Sequence, residues 1–248
     1  MAAGGKRDRP APEGREVISR RVFVAGGLAA FALPALAGSE RGSVAGIELP
    51  RTPLSRAARD LSRRSSPGYL YNHCMRTYVF GALVLRHRGQ EFDAEAAFAA
   101  AALHDLGLLP AFETGASFER DGANAAKAFA LKRGVSAARA QLISDAVFFH
   151  DNPASGQAPE VLLVAAGAAA DVIGPDPSVI SPASAAAVLA AFPRLGFKTS
   201  FKDLLTAHCR RHPDSQHGTW LDGYCRASKA GSAHDRVTEA IENAPFND

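Results

Sequence analysis

Apolar positions along the chain recur at helical spacing and break at glycine, proline and small polar residues. Between Asp93 and Gly107 the sequence is almost uniformly apolar until it meets His104 and Asp105. Alanine dominates this run and is the best helix former. Asp93 is placed to cap its start and Gly107 to stop it, which predicts a helix over 94–106. The same punctuation predicts helices over 53–64, capped by Thr52, and over 71–88, ended by Gly89 and Gln90. Further helices are expected over 121–132, with Asp121 as its cap, over 137–150 behind Ser136, and over 159–173, stopped by Gly174 and Pro175. The pattern adds helices over 184–192, 200–211 and 234–243, whereas 65–68, 112–118 and 152–157 read as breaks. No alternating strand pattern stands out. The expectation is an all-α fold, with one helical domain over 53–248 whose tail begins near Pro193.

The first 37 residues follow a different grammar. Arg20 and Arg21 precede an uncharged run from Val22 to Ala37, which ends in Ala35-Leu36-Ala37. A basic region, an apolar region and a small-residue cleavage site in that order read as an export signal, and the arginine pair resembles the twin-arginine type. The run is 16 residues long and holds Gly26, Gly27 and Pro34, short of the about 20 apolar residues a membrane span needs. The alternative is an N-terminal anchor that is never cut. The twin-arginine resemblance implies passage through that export machinery in a folded state, with a cofactor already in place. It also implies a periplasmic or extracellular destination and no stable membrane insertion after cleavage. Residues 38–52 read as a polar linker.

Charge changes little once this segment is set aside. Removing the six basic and three acidic residues of 1–37 from the totals of 28 and 25 leaves 22 of each. A neutral body, with basic pairs only at Arg63-Arg64 and Arg210-Arg211-His212, argues against nucleic acid as a partner. Both clusters read as solvated helix ends. The three cysteines, Cys74, Cys209 and Cys225, include no CxxC spacing, so a thiolate zinc site is not expected. Cys209 and Cys225 could pair in an oxidising compartment.

Candidate chemistry lies at helix ends. Asp105 closes an apolar helix, where burial of a lone carboxylate is costly and the helix dipole disfavours an anion. A cation beside it resolves both problems. His104 adjoins it, His73 lies 31 positions before His104, and Asp171 closes a second apolar helix 66 positions after Asp105. His150, in Phe148-Phe149-His150-Asp151, is a candidate second ligand, acid/base or substrate contact. Glu119, Asp121 and Asn124 form a softer group. His208, His212, His217 and Trp220 read as solvated tail residues, with a lid as the alternative.

His73, then His104-Asp105 in an alanine-leucine run, then Asp171, resembles the signature of the HD-domain superfamily. The stretches from Tyr71 to Tyr78, Leu103 to Gly107 and Phe118 to Ala126 are similar to its cyanamide-hydratase-like branch. The resemblance covers about 53–171. It implies an HD-domain helical bundle with His73, His104, Asp105 and Asp171 as ligands to one divalent metal, zinc first, with iron or manganese as alternatives. It implies a metal-dependent hydrolase or hydro-lyase acting on a small-molecule substrate, adding water to a small nitrile such as cyanamide to give an amide. Asp105 would also orient the water, and Asn124 and His150 would hold the nitrogen end. A metal-dependent phosphohydrolase and a non-catalytic exported metal-binding module are the alternatives.

Overall fold

The computed structural model describes residues 42–231 and 235–248, all within one compact unit. The expected export signal lies outside the described residues. Ten α-helices form the described part: α1 (Pro53–Ser65), α2 (Gly68–His87), α3 (Ala94–Leu103), α4 (Phe118–Leu131), α5 (Ala137–Phe148), α6 (Pro159–Val172), α7 (Pro182–Ala191), α8 (Phe197–Arg211), α9 (Asp222–Lys229) and α10 (Arg236–Asn243). A 3-10 turn, Leu106–Leu108, follows α3. The all-α expectation holds. No helix among the described residues is long and apolar enough to cross a membrane.

The centre of the bundle is α3. Every residue from Ala96 to Leu103 is buried, because small alanines let α1, α2, α5 and α6 close in around it. The antiparallel pair α2 and α6 is held at backbone contact by two glycines. A Cβ on Gly81 would lie 2.1 Å from the Leu163 carbonyl oxygen, and one on Gly167 would lie 1.9 Å from that of Thr77. One further turn along this seam, His73 meets Asp171. The 3-10 turn is pressed onto α4 in the same way, since a Cβ on Gly107 would lie 1.9 Å from the Phe118 carbonyl oxygen.

Several boundaries differ from expectation, each for a local reason. Helix α2 starts at Gly68, with Pro67 as its cap. Helix α3 ends at Leu103, so His104 and Asp105 occupy the turn that follows it. Helix α4 starts at Phe118, because the Ser117 hydroxyl accepts from the Arg120 amide. Asp121 is therefore no cap; it is buried and accepts from the Thr114 amide (2.7 Å) and hydroxyl. The stretch expected to be a linker holds a small antiparallel hairpin, Ser43–Val44 with Ile47–Glu48. Its turn places Ala45 and Gly46 at φ of 50° and 73°. Helix α9 was not expected. A disulfide between Cys209 and Cys225 (Cα–Cα 5.1 Å) ties it to α8.

Candidate metal centre

Three side chains from two elements converge. His73 comes from the second turn of α2, and His104 and Asp105 from the turn after α3; all three are buried. Their donor atoms form a triangle. His73 Nε2 and His104 Nε2 are 3.2 Å apart, and each is 3.4 Å from Asp105 Oδ2. Two ligands each about 2.0–2.2 Å from a shared ion lie about 2.8–3.6 Å apart, so the triangle fits a divalent cation.

The protons around the triangle strengthen this fit. His73 Nδ1 donates to Asp171 Oδ2 at 2.7 Å, and His104 Nδ1 donates to the Ala101 carbonyl at 2.8 Å. Both contacts place the ring proton on Nδ1 and leave Nε2 as a lone pair. Burial, opposed by Asp105 and aided by the neighbouring histidines, pushes His104 down to about 3, so its ring is neutral. Asp105 Oδ2 has no hydrogen-bond partner although fully enclosed. Three electron-pair donors therefore face one another with no proton between them, an arrangement that a cation stabilises. Among the described residues these three form the group suited to hold a metal.

Asp171 does not join the triangle. It stands behind His73 and is saturated by other donors. Arg76 donates to it through Nε at 2.7 Å and through a terminal nitrogen at 2.8 Å, and Arg194 donates at 3.0 Å. Burial raises its pKa, but Arg76 and His73 outweigh burial and hold it well below the usual carboxylate range. Its geometry is that of the carboxylate which orients a ligating histidine. Sequence could not separate the two roles, because both produce a buried aspartate at a helix end. Asn124 is also displaced from its expected place: it is exposed on α4 and does not line the cavity.

A cavity of about 490 Å³ opens onto the triangle. His73, His104, Asp105, His150 and Asp151 supply its polar wall, and Phe118, Phe201, Trp220 and the α6 side chains Leu162, Ala165, Ala169 and Val172 supply its apolar wall. His150 lies ring to ring with His104 at 4.8 Å and donates from Nδ1 to the Val147 carbonyl at 2.6 Å. Phe197 stacks on the His73 ring at 4.9 Å, which fixes its plane from the tail side. Trp220 lines the cavity and its indole Nε1 has no acceptor. The Cys74 thiol nearby is pushed up by burial and by Asp105, so it stays protonated.

Sequence reasoning underrated two parts of this region. His208 is buried rather than solvated, and with Arg211 and His212 it converges on Glu113. That network draws the nominally exposed basic cluster of α8 against the loop before α4. Asp151 was passed over beside His150. A carboxylate directly after a histidine at a helix end was the available signal.

Residues 70–178 match the model of the HD domain family. The match includes His73, His104, Asp105, His150 and Asp171, and it stops before α7. The aromatic roof from α8 and the segment after it lies beyond it. No curated protein matches the chain.

Proposed function

We propose that this protein is a metal-dependent hydrolase or hydratase that adds water to a small uncharged substrate, a nitrile such as cyanamide being the first candidate. The observation that carries the reading is the partnerless Asp105 Oδ2 facing two Nε2 lone pairs in the wall of a largely apolar cavity. Proteins of the matching family are generally metal-dependent hydrolases. His73, His104 and Asp105 would hold one divalent cation, zinc for preference given two imidazoles and a carboxylate. A divalent cation there supplies Lewis acidity, acidifying water and polarising the substrate.

The rest of the chemistry belongs to the chain. Phe118, Phe201 and Trp220 exclude bulk water and strengthen every polar contact within the cavity. His150, with Nδ1 committed to a carbonyl, offers Nε2 to the substrate, and the Trp220 indole offers a donor. Lack of a phosphate clamp supports an uncharged substrate over a phosphate ester. Arg76 and Arg194 are spent on Asp171, and Arg120 stacks over Phe148 at 4.1 Å. Among the described residues, one arginine, the exposed Arg88, lines the cavity, too few donors for such a clamp.

Export through the twin-arginine route belongs to the same reading. The Cys209–Cys225 disulfide supports an oxidising destination. A reporter fused behind residues 1–41 should be exported and should stay in the cytoplasm when Arg20 and Arg21 are both changed to Lys. Export of the double variant would sink this part.

Elemental analysis of the purified protein tests the metal reading. About one equivalent of zinc, iron or manganese is expected, lost in Asp105→Ala, with turnover of cyanamide by the loaded protein. Turnover of phosphomonoesters instead would replace the nitrile with a phosphate substrate. Full metal content in Asp105→Ala would show that the cation is held elsewhere.

A further inference from the structure

A buried and a half-buried carboxyl lie beside the triangle and take no part in it. Glu119, in the first turn of α4, is 3% exposed. Asp151 follows His150 and lines the cavity with Asp105. The two side chains are in hydrogen-bond contact. Neither Glu119 oxygen meets a donor of good geometry. Its own amide and the Ser117 hydroxyl act on it more weakly, in the lowering sense. The charged or titratable groups facing Asp151 are Glu119, Asp105 and the adjoining His150. The strongest influences on the pair are thus neutral or acidic.

Two carboxyls in contact cannot both ionise, so the pair retains one proton. Burial first, and then Asp151, push Glu119 up to about 8, and burial also raises Asp151, offset in part by its hydrogen bond with Glu119. At neutral pH the proton therefore resides on Glu119, and Asp151 presents a carboxylate to the cavity. The backbone enforces this placement. A Cβ on Gly122 would lie 3.0 Å from the His104 carbonyl oxygen, so the start of α4 is pressed against the turn that carries Asp105.

We propose that Asp151 is the catalytic proton carrier of this site and that Glu119 is the positioning residue that stores and returns its proton. This rests on the hydration reading above. As the water oxygen bonds to the nitrile carbon, one C–N π bond breaks and its electron pair goes to nitrogen. Asp151 takes a proton from the water and the pair delivers one to nitrogen, giving the imidic acid. The second O–H proton then passes to Asp151 and another returns to nitrogen, leaving the amide and the pair with its single proton. No redox partner is needed.

The test uses the metal-loaded full chain with Asp151→Asn and Glu119→Gln. Infrared spectra of the wild type at pH 7 should show a protonated carboxyl that is lost in Glu119→Gln. With cyanamide as substrate, Asp151→Asn should lower kcat at least about 100-fold at unchanged metal content. Wild-type kcat should fall above about pH 8, as Glu119 loses its proton. Glu119→Gln should abolish that alkaline limb and leave KM within about twofold. A merely structural role would lower kcat equally at every pH. Full rate in Asp151→Asn, or an unchanged limb and carboxyl band in Glu119→Gln, overturns the proposal while leaving the hydration reading intact. Absence of wild-type turnover with a loaded site overturns both.

Discussion

The ends of α3 and α6 pose the same problem and solve it in opposite ways. Each is an alanine-rich helix followed by, or ending in, a buried aspartate, where the helix dipole is unfavourable to an anion. At the end of α6 the carboxylate is neutralised from within the protein. Asp171 receives Arg76 on both oxygens, Arg194 on one and the His73 ring on the other. Past the end of α3, Asp105 receives nothing on Oδ2 and faces two lone pairs. Burial alone does not reveal whether a carboxylate is structural or functional. Whether its charge is already answered does.

The comparison can be broken most forcefully at α6. Asp171→Ala leaves the Arg76 guanidinium buried without its anion, while Arg194 keeps Asp248, a loss of about 3–5 kcal/mol. At about 2–4 °C per kcal/mol for a chain of this size, thermal melting should show Tm falling by about 6–20 °C. Because His73 loses its orienting partner, metal affinity should also weaken about 10–100-fold, readable by competition with a chelator. If stability stays unchanged, Asp171 is not the structural member of the two.

A smaller effect is expected at the glycine seam that brings Asp171 to His73. Gly167→Ala forces a methyl to within 1.9 Å of the Thr77 carbonyl oxygen. The two helices must separate, at about 1–3 kcal/mol. Metal affinity should fall with it, since His73 moves with α2. Denaturant titration and metal binding measured together check this, and a stable variant with normal affinity would show that the seam does not set the site.

The smallest effect has the opposite sign. Asp105→Ala removes an enclosed carboxylate oxygen that has no partner, so the metal-free protein should become more stable, by about 1–2 kcal/mol. The same variant should no longer hold metal. Comparison of Tm for the stripped wild type and the stripped variant decides it. A destabilised variant would mean that Asp105 is satisfied in the metal-free protein and that the contrast with Asp171 is false.

Much of the site was legible before the structure because its constraints are local. His104 and Asp105 stand out against Ala94–Leu103 as polar residues that no core would accept without reason. His73 could be found only through the HD resemblance, since a single histidine in an amphipathic helix carries no signal of its own. The placements that failed depended on orientation. Asn124 sits on the outer side of α4, on the same i, i+4 stripe as the exposed Arg120 and Ala128, a face that only packing against the bundle selects. Glu119 and Asp151 are 32 positions apart, and nothing in either segment announces their contact.

Most of the helices, though not α9 or every boundary, and the polar groups that the apolar bundle could not absorb were legible along the chain. These follow from short-range steric preferences and from the cost of burying charge, which a linear reading can weigh. Only the tertiary structure decided which carboxylate is answered by arginine and which is left open. It also brought Phe201 and Trp220 from the tail to the cavity wall, stacked Phe197 on His73, and paired Glu119 with Asp151. Those outcomes depend on which faces meet when α2 and α6 close at their glycines and α4 presses on the turn after α3. Such meetings bring together residues far apart in the chain, and local preference along the sequence does not encode them.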